Sequence, residues 1–201
     1  NRSNILYTFV AGDKSEIFSD EVRTQTGVVN VGCSNSHPGY VLRSSSGFDW
    51  AGKDPNETML FHHMSVDGNY ASTMELEVIQ GRSFLPDDSM KVLVNERALE
   101  FLGFDDPIGQ TIDAGEDYKI VGVVRDFNFK SIHTPIEPLF VFKEDNLNRV
   151  YIKFEPGEEA NIVSIVSEVW DKHIPNNELD YYFLDEDFDR MYAAEERTKK
   201  L

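Results

Sequence analysis

Near each end of this 201-residue chain the same pattern recurs: a strand, a helix and a strand within about 30 residues, the span of one βαβ unit. In the first copy, Ile5–Val10 (ILYTFV) is rich in β-branched and aromatic residues and reads as a strand. Gly12-Asp13-Lys14 is turn chemistry, Ser15 is the expected helix N-cap, and Phe18 and Val22 share one helical face. Thr26-Gly27 stops that helix and Val28–Cys33 supplies the second strand. In the second copy, Arg149–Phe154 (RVYIKF) alternates, which predicts Val150, Ile152 and Phe154 on a buried face and Arg149, Tyr151 and Lys153 on an open one. Pro156-Gly157 turns the chain, and Ile162, Ile165, Val166, Val169 and Trp170 give a helix over Ala160–His173. Pro175-Asn176-Asn177 ends it, and Tyr181–Leu184 is the last strand. Two such units flanking an insert predict an α+β fold, a split, ferredoxin-like sheet with its helices on one face. Residues 1–56 and 147–201 would form that discontinuous subdomain, and residues 57–146 an inserted mixed α/β subdomain.

The insert holds the sharpest local signals. Thr58–Val66 reads as a strand, Tyr70–Leu76 as a short helix, and Val78-Ile79 as a brief strand before a turn at Gly81-Arg82. Val92–Val94 is a strand followed by Asn95, whose side-chain oxygen can accept from the free N–H groups of a first helical turn. Glu96 suits the positive end of that helix, and Gly103 sits where a left-handed residue would stop it. Asp106-Pro107-Ile108-Gly109 is a turn, Tyr118–Val124 a mostly buried strand, and Leu139–Phe142 another. Between the first unit and the insert, Asn35–Asp54 is rich in Ser, Gly and Pro and reads as a long loop. Its Tyr40, Phe48 and Trp50 are either anchors for a partner or rings that fold back onto the core.

The charge balance excludes one class of function. With 19 Lys and Arg against 36 Asp and Glu, the net charge is −17, and no basic stripe is present to meet a phosphate backbone. Nucleic-acid binding is not expected, nor broad contact with anionic lipid. The single Cys33 permits no internal disulfide, which leaves the compartment open. No stretch approaches the roughly 18 apolar residues that a membrane helix needs. The chain begins at Asn1 with no leader-like segment, so it reads as a piece of a longer protein.

Candidate chemistry is sparse. His62 and His63 with Asp67 hint at a metal site, but neighbours on a strand face opposite ways and do not share one ion. His37, His133 and His173 have no partner identifiable from the sequence. Asp185, Asp187 and Asp189 mimic three ligand positions of a calcium loop, with Glu196 at the twelfth. Arg190 stands where that loop needs Gly, so an acidic helix start is the expected reading. Asp105-Asp106 is a carboxylate pair in turn chemistry. Gly122 within its strand marks close packing or a bulge. No nucleophile–base set, phosphate loop or dinucleotide fingerprint is present. The expectation is a protein with no catalytic, cofactor-binding or metal-ligating residues, hence no cofactor and no enzyme.

Three blocks, VLVNERALEFLGFDDPIGQTI, YKIVGVVRDFNFKSIHTPIEPLF and YYFLDEDFDRMYAAEERTKKL, together resemble the MacB-like periplasmic core domain of FtsX-type ABC transporter permeases. The likeness covers most of Lys91–Leu201 and is weaker over residues 1–90, where it rests on Val78–Phe84. It implies a porter-like subdomain interrupted by an insert, set in the periplasm between membrane helices of a bacterial inner-membrane protein. It further implies a separate cytoplasmic ATPase subunit, a second permease copy or half, and in some members a periplasmic adaptor or lipoprotein. The function implied is coupling of ATP hydrolysis to periplasmic conformational change, for export or signalling. Gly103, Pro107 and Gly109 would shape the insert's turn, and Asp185–Leu201 would be the transmitting helix. That helix is too polar to bury much, and Glu195 and Glu196 precede Lys199 and Lys200 in the favourable i, i+4 order. The alternative function is an extracytoplasmic sensor or binding module for a small ligand, which requires a concave, mostly apolar pocket.

Overall fold

A computed structural model describes residues 3–41, 43–85, 87–130 and 134–199, with the backbone alone at Glu195, Glu196, Thr198 and Lys199. The described strands are β1 (Ile5–Phe9), β2 (Val28–Ser34), β3 (Ser44–Ser45), β4 (Asp49–Trp50), β5 (Phe61–Val66) and β6 (Val78–Gly81). They continue with β7 (Lys91–Asn95), β8 (Thr111–Asp113), β9 (Asp117–Val124), β10 (Leu139–Lys143), β11 (Arg149–Phe154) and β12 (Tyr181–Phe183). The helices are α1 (Gly12–Arg23), α2 (Tyr70–Thr73), α3 (Glu96–Leu102), α4 (Glu159–His173) and α5 (Leu184–Lys199).

The strands form one mixed sheet in the order β12-β1-β11-β2-β5-β10-β7-β9-β8-β4, with β3 beside β5 and β6 beside β9. The two strand–helix–strand units interleave at one end, where β1 lies between β11 and β12, antiparallel to both, and β11 also pairs with β2. A parallel step from β5 to β10 and another from β7 to β9 occupy the other end. The two ends meet narrowly. Between β2 and β5 the only laddered pair is Ser34 with Val66, flanked by bonds from Asn35 N–H to Ser65 C=O (3.0 Å) and from Asp67 N–H to Cys33 C=O (3.0 Å).

Three apolar clusters hold the sheet. Under α1 and α4 lie Leu6, Phe18, Val22, Val31, Ile152, Phe154, Val166 and Trp170. Around α3, Phe61, Phe140 and Phe142 pack with Val92, Ala98, Leu102 and Ile120. The third cluster crosses the joint on the sheet's other side, running from Ile5, Tyr7 and Tyr151 to Met64, Leu93 and Val141 and ending on Leu184 and Phe188 of α5. Because both faces are covered, Tyr151 is fully buried, against the half-open reading of β11. Alternation in sequence reports polarity, and a tyrosine satisfies both environments.

Local signals were realised unevenly. Asn95 does cap α3, its oxygen accepting from Ala98 N–H at 2.9 Å, and it also takes Leu139 N–H (2.8 Å) and donates to Glu137 C=O, so one buried amide joins α3 to β10. Gly103 ends α3 at φ 68°, the left-handed stop expected there. Gly122 is a bulge site: the β7–β9 register shifts beside it, and a Cβ there would lie 2.3 Å from Arg82 C=O. Ser15 is not a cap. Helix α1 starts a turn earlier, behind Ala11, and the Ser15 hydroxyl donates back to Gly12 C=O at 2.9 Å. The strand expected from Thr58 begins at Phe61, and Tyr181–Phe183 is a strand whose expected last residue, Leu184, opens α5.

Candidate functional site: the root of the terminal helix

On β1, Ile5 and Tyr7 face the cluster that crosses the joint, while Leu6 and Val10 face α1 and α4. Cross-strand register sets Tyr7 between Tyr182 and Tyr151. The result is a row of tyrosine rings across the sheet, with centroids 5.3 Å apart for Tyr182–Tyr7, 5.4 Å for Tyr7–Tyr151 and 5.6 Å for Tyr151–Tyr70. Aromatic neighbours of this kind stabilise a sheet beyond the area they bury. The Tyr151 hydroxyl donates to Ser36 C=O at 3.1 Å, and burial raises its pKa well above the ordinary phenol value.

Helix α5 starts directly over this row. Its Leu184 is 0% exposed and Phe188 2%, one turn apart on the same face. Between them, Asp187 Oδ2 accepts from the Tyr7 hydroxyl at 2.8 Å. Burial first, and then that bond to a carboxylate, holds the Tyr7 phenol above its ordinary range. The same carboxylate oxygen lies 3.1 Å from His37 Nε2. His37 Nδ1 accepts from Gly39 N–H at 3.1 Å, which assigns the ring hydrogen to Nε2. The imidazole also packs on Tyr7 (5.5 Å) and Phe188 (5.4 Å).

The loop after β2 completes the seat. A Cβ on Gly39 would fall 2.4 Å from Phe188 Cε1, so only glycine lets the ring in. Tyr40 N–H donates to His37 C=O at 2.9 Å and closes a tight turn above the helix. Of the three aromatics in this loop, Phe48 is buried against Phe61, Phe140 and Phe142 and Trp50 packs on Phe61, so both fold back; Tyr40 is 54% exposed. The arrangement clamps the first two turns of the helix; Tyr192, half-buried, still rests on the cluster and 5.9 Å from the Phe188 ring, and beyond it Ala193, Ala194 and Arg197 are open.

The other candidate residues lie apart from this seat. His62 and His63 do point to opposite faces, His62 against Phe129 and His63 against Phe48 and Phe142. His62 Nε2 lies 3.1 Å from Glu137, and burial lowers the pKa of both imidazoles. Asp67 instead turns the chain into α2, accepting from Tyr70 N–H (2.8 Å) and Asn69 N–H (3.1 Å). Cys33 is buried, its thiol pushed to about 12 by burial. Asp105 and Asp106 are exposed in their turn. Asp185, Asp187 and Asp189 lie on a continuous helix, and Asp187 is already committed to Tyr7 and His37; the Glu196 side chain and the whole of His133 lie outside the described residues, as does Lys200 of the expected charge pairs. Among the described residues no group of three or more His, Cys, Asp and Glu is placed to hold a metal. His173 does have a partner, Glu21 at 2.6 Å, and Lys172 joins the same carboxylate at 2.8 Å, tying α4 to α1. Tyr7, His37 and Gly39 carried no recognisable signal in sequence, because the contacts that define them reach residues about 150 to 180 positions away.

One mixed sheet, helices on both of its faces and a last helix seated on the sheet through its first turns define the class of architecture. The periplasmic region of MacB from Actinobacillus actinomycetemcomitans shares it, with a TM-score of 0.65 and 14% identity over 95% of this chain and 94% of that one. So does the extracellular domain of the ABC-type transporter YknZ from Gram-positive bacteria, with a TM-score of 0.62 and 14% identity over 88% and 97%. At such identity these likenesses speak to the fold. No curated protein sequence matches. The family model of the MacB-like periplasmic core domain matches residues 16–164, and the chain belongs to that family. It is a periplasmic domain of a MacB-like ABC transporter permease, an inner-membrane protein class that works with an ATPase partner and dimerises in general. Among the described residues no helix is long and apolar enough to cross a membrane.

Proposed function

We propose that this domain couples ATP hydrolysis on a separate cytoplasmic subunit to movement in the periplasm, with α5 as the transmitting lever, for export or signalling. The observation that carries this reading is the one-ended anchorage of α5. Leu184, Asp187 and Phe188 are seated in the sheet and Tyr192 rests half-buried on the same cluster, while Asp189, Arg190, Ala193 and Ala194 are open to solvent. Force applied along such a helix reaches the sheet through the row of tyrosines instead of dissipating in a flexible linker.

The sheet itself supports a division into two bodies. The single Ser34–Val66 pair is a narrow waist in the ladder, each end has its own helix-covered core, and the third cluster spans the joint on the sheet's other side. Because Ser44-Ser45 pair with β5 and Asp49-Trp50 with β8, we count residues 44–56 with the insert, and leave with the outer body the turn whose His37 and Gly39 pack on Tyr7 and Phe188. Motion of such bodies as rigid units, about a waist, is an established route for conformational coupling. In this reading the domain works beside a second permease copy or half, and an adaptor or lipoprotein is a partner for its periplasmic face.

The test is a two-glycine insertion after Tyr192 in the full permease with its ATPase. ATP turnover is expected to persist while nucleotide-driven movement between the periplasmic domains is lost. Undiminished movement would sink the lever.

A further inference from the structure

Beside the root of α5, between β1, β11 and the loop after β2, lies a solvent-open crevice of about 450 Å³. Two arginines line it. The Arg149 guanidinium rests 4.7 Å from the Phe9 ring and donates to Asn35 C=O at 3.1 Å. Arg43 is exposed and has no acidic partner among the described residues. Phe9 and Tyr40, 43% and 54% exposed, leave ring surface open at the same place. The one carboxylate in the wall, Asp187, is already engaged by the Tyr7 hydroxyl and lies 3.1 Å from His37 Nε2.

This combination runs against the rest of the molecule. A chain of net charge −17 repels an acidic partner over most of its surface. Here the open Arg43 fork, suited to a carboxylate in bidentate geometry, and the positive charge of Arg149, held by Asn35 and Phe9, sit next to exposed aromatic surface suited to an apolar side chain. Arginine and tyrosine are also the residues that concentrate binding energy at interfaces. The volume admits one or two residues of a peptide.

We infer that this crevice is a docking site for a peptide segment of an extracytoplasmic partner, which inserts a carboxylate between Arg43 and Arg149 and lays an adjacent apolar side chain on Phe9 and Tyr40. The docking site is independent of the lever role of α5, and either stands if the other fails.

The test is titration of the ¹⁵N-labelled chain with N-acetyl-phenylalanine, against N-acetyl-phenylalanine amide and inorganic phosphate as controls. Saturable shifts are expected at the amides of Phe9, His37, Tyr40 and Arg149, with a dissociation constant on the order of 1 mM for so small a ligand. The amide and phosphate should bind at least about tenfold more weakly, which separates a carboxylate with an apolar neighbour from a bare anion such as a lipid headgroup phosphate. Arg43→Gln, on an exposed loop position outside the core, should weaken binding at least about fivefold. Arg82→Gln, whose arginine pairs with Asp88 elsewhere, should leave it unchanged. Absence of saturable shifts at the crevice, equal binding of the amide or phosphate, or full affinity in Arg43→Gln would each overturn the assignment.

Discussion

Helices α4 and α5 are nearly equal in length, 15 and 16 residues, and occupy the sheet in opposite ways. Helix α4 buries a stripe along its length, from Ile162 through Val166 and Val169 to Trp170, and is tied at its end to Glu21 of α1. Helix α5 buries Leu184 and Phe188, half-buries Tyr192 one turn on, and is open at its following described side chains. The first is packed on the sheet from its first turn to its last. The second is fastened at one end, and the difference lies in where the apolar residues stop.

That contrast can be broken most strongly at the two large rings. Trp170→Ala should cost about 3–5 kcal/mol of global stability, the range for deleting a buried aromatic side chain, measured by denaturant unfolding. Phe188→Ala removes a ring of similar burial, yet its global cost should be smaller, because α5 can release without unfolding the sheet. Its signature is loss of hydrogen-exchange protection over residues 184–191 with protection in α4 retained. Equal global losses would show that α5 is core and not lever.

A smaller perturbation acts on the seat from the opposite side. Gly39→Ala drives a methyl into the Phe188 ring and should cost about 1–3 kcal/mol through overpacking, again read as exchange confined to α5. Next comes the polar latch. Asp187→Ala leaves the buried Tyr7 hydroxyl without its acceptor, a cost of about 1–3 kcal/mol, and Tyr7→Phe in the same background should recover part of it. Additive losses in that double-mutant cycle would remove the latch from the account.

The smallest effect is a pH dependence at the end of α4. The Lys172 hydrogen bond, with His173 adding to it, holds the Glu21 carboxyl below its ordinary value of 4.5. A lowered carboxyl contributes fully above its unfolded pKa, and the contribution is lost as pH falls through the folded one. Acidification through that window should loosen α4 from α1, and Glu21→Gln should flatten this part of the stability profile.

Much of this frame was legible from one sequence. Arg149–Phe154 is a strand at the expected bounds, and Asn95 and Gly103 bracket α3 because cap and stop chemistry is local. The helical stripe of α4 is likewise local. What could not be read depends on what approaches from elsewhere. Ser15 looks like a cap until the chain starts its helix a turn earlier, and Tyr151 looks half-open until α2 and the loop after β2 cover its face. The hairpin of β8 and β9 joins three residues to eight, too short a first strand to give a periodic signal. The root of α5 was the least legible, since Tyr7, His37 and Gly39 are ordinary residues until Asp187 and Phe188 reach them.

The most direct measurement places spin labels at Asp189 on α5 and Glu168 on α4, both exposed, in the full permease with its ATPase. If α5 is a lever fixed at its root, the distance distribution between them should stay narrow and unchanged between nucleotide-free and ATP-bound states, while distances between the two periplasmic domains shift. A nucleotide-dependent change of more than a few ångströms within the domain would mean that α5 swings free of the tyrosine row, and the lever would be contradicted.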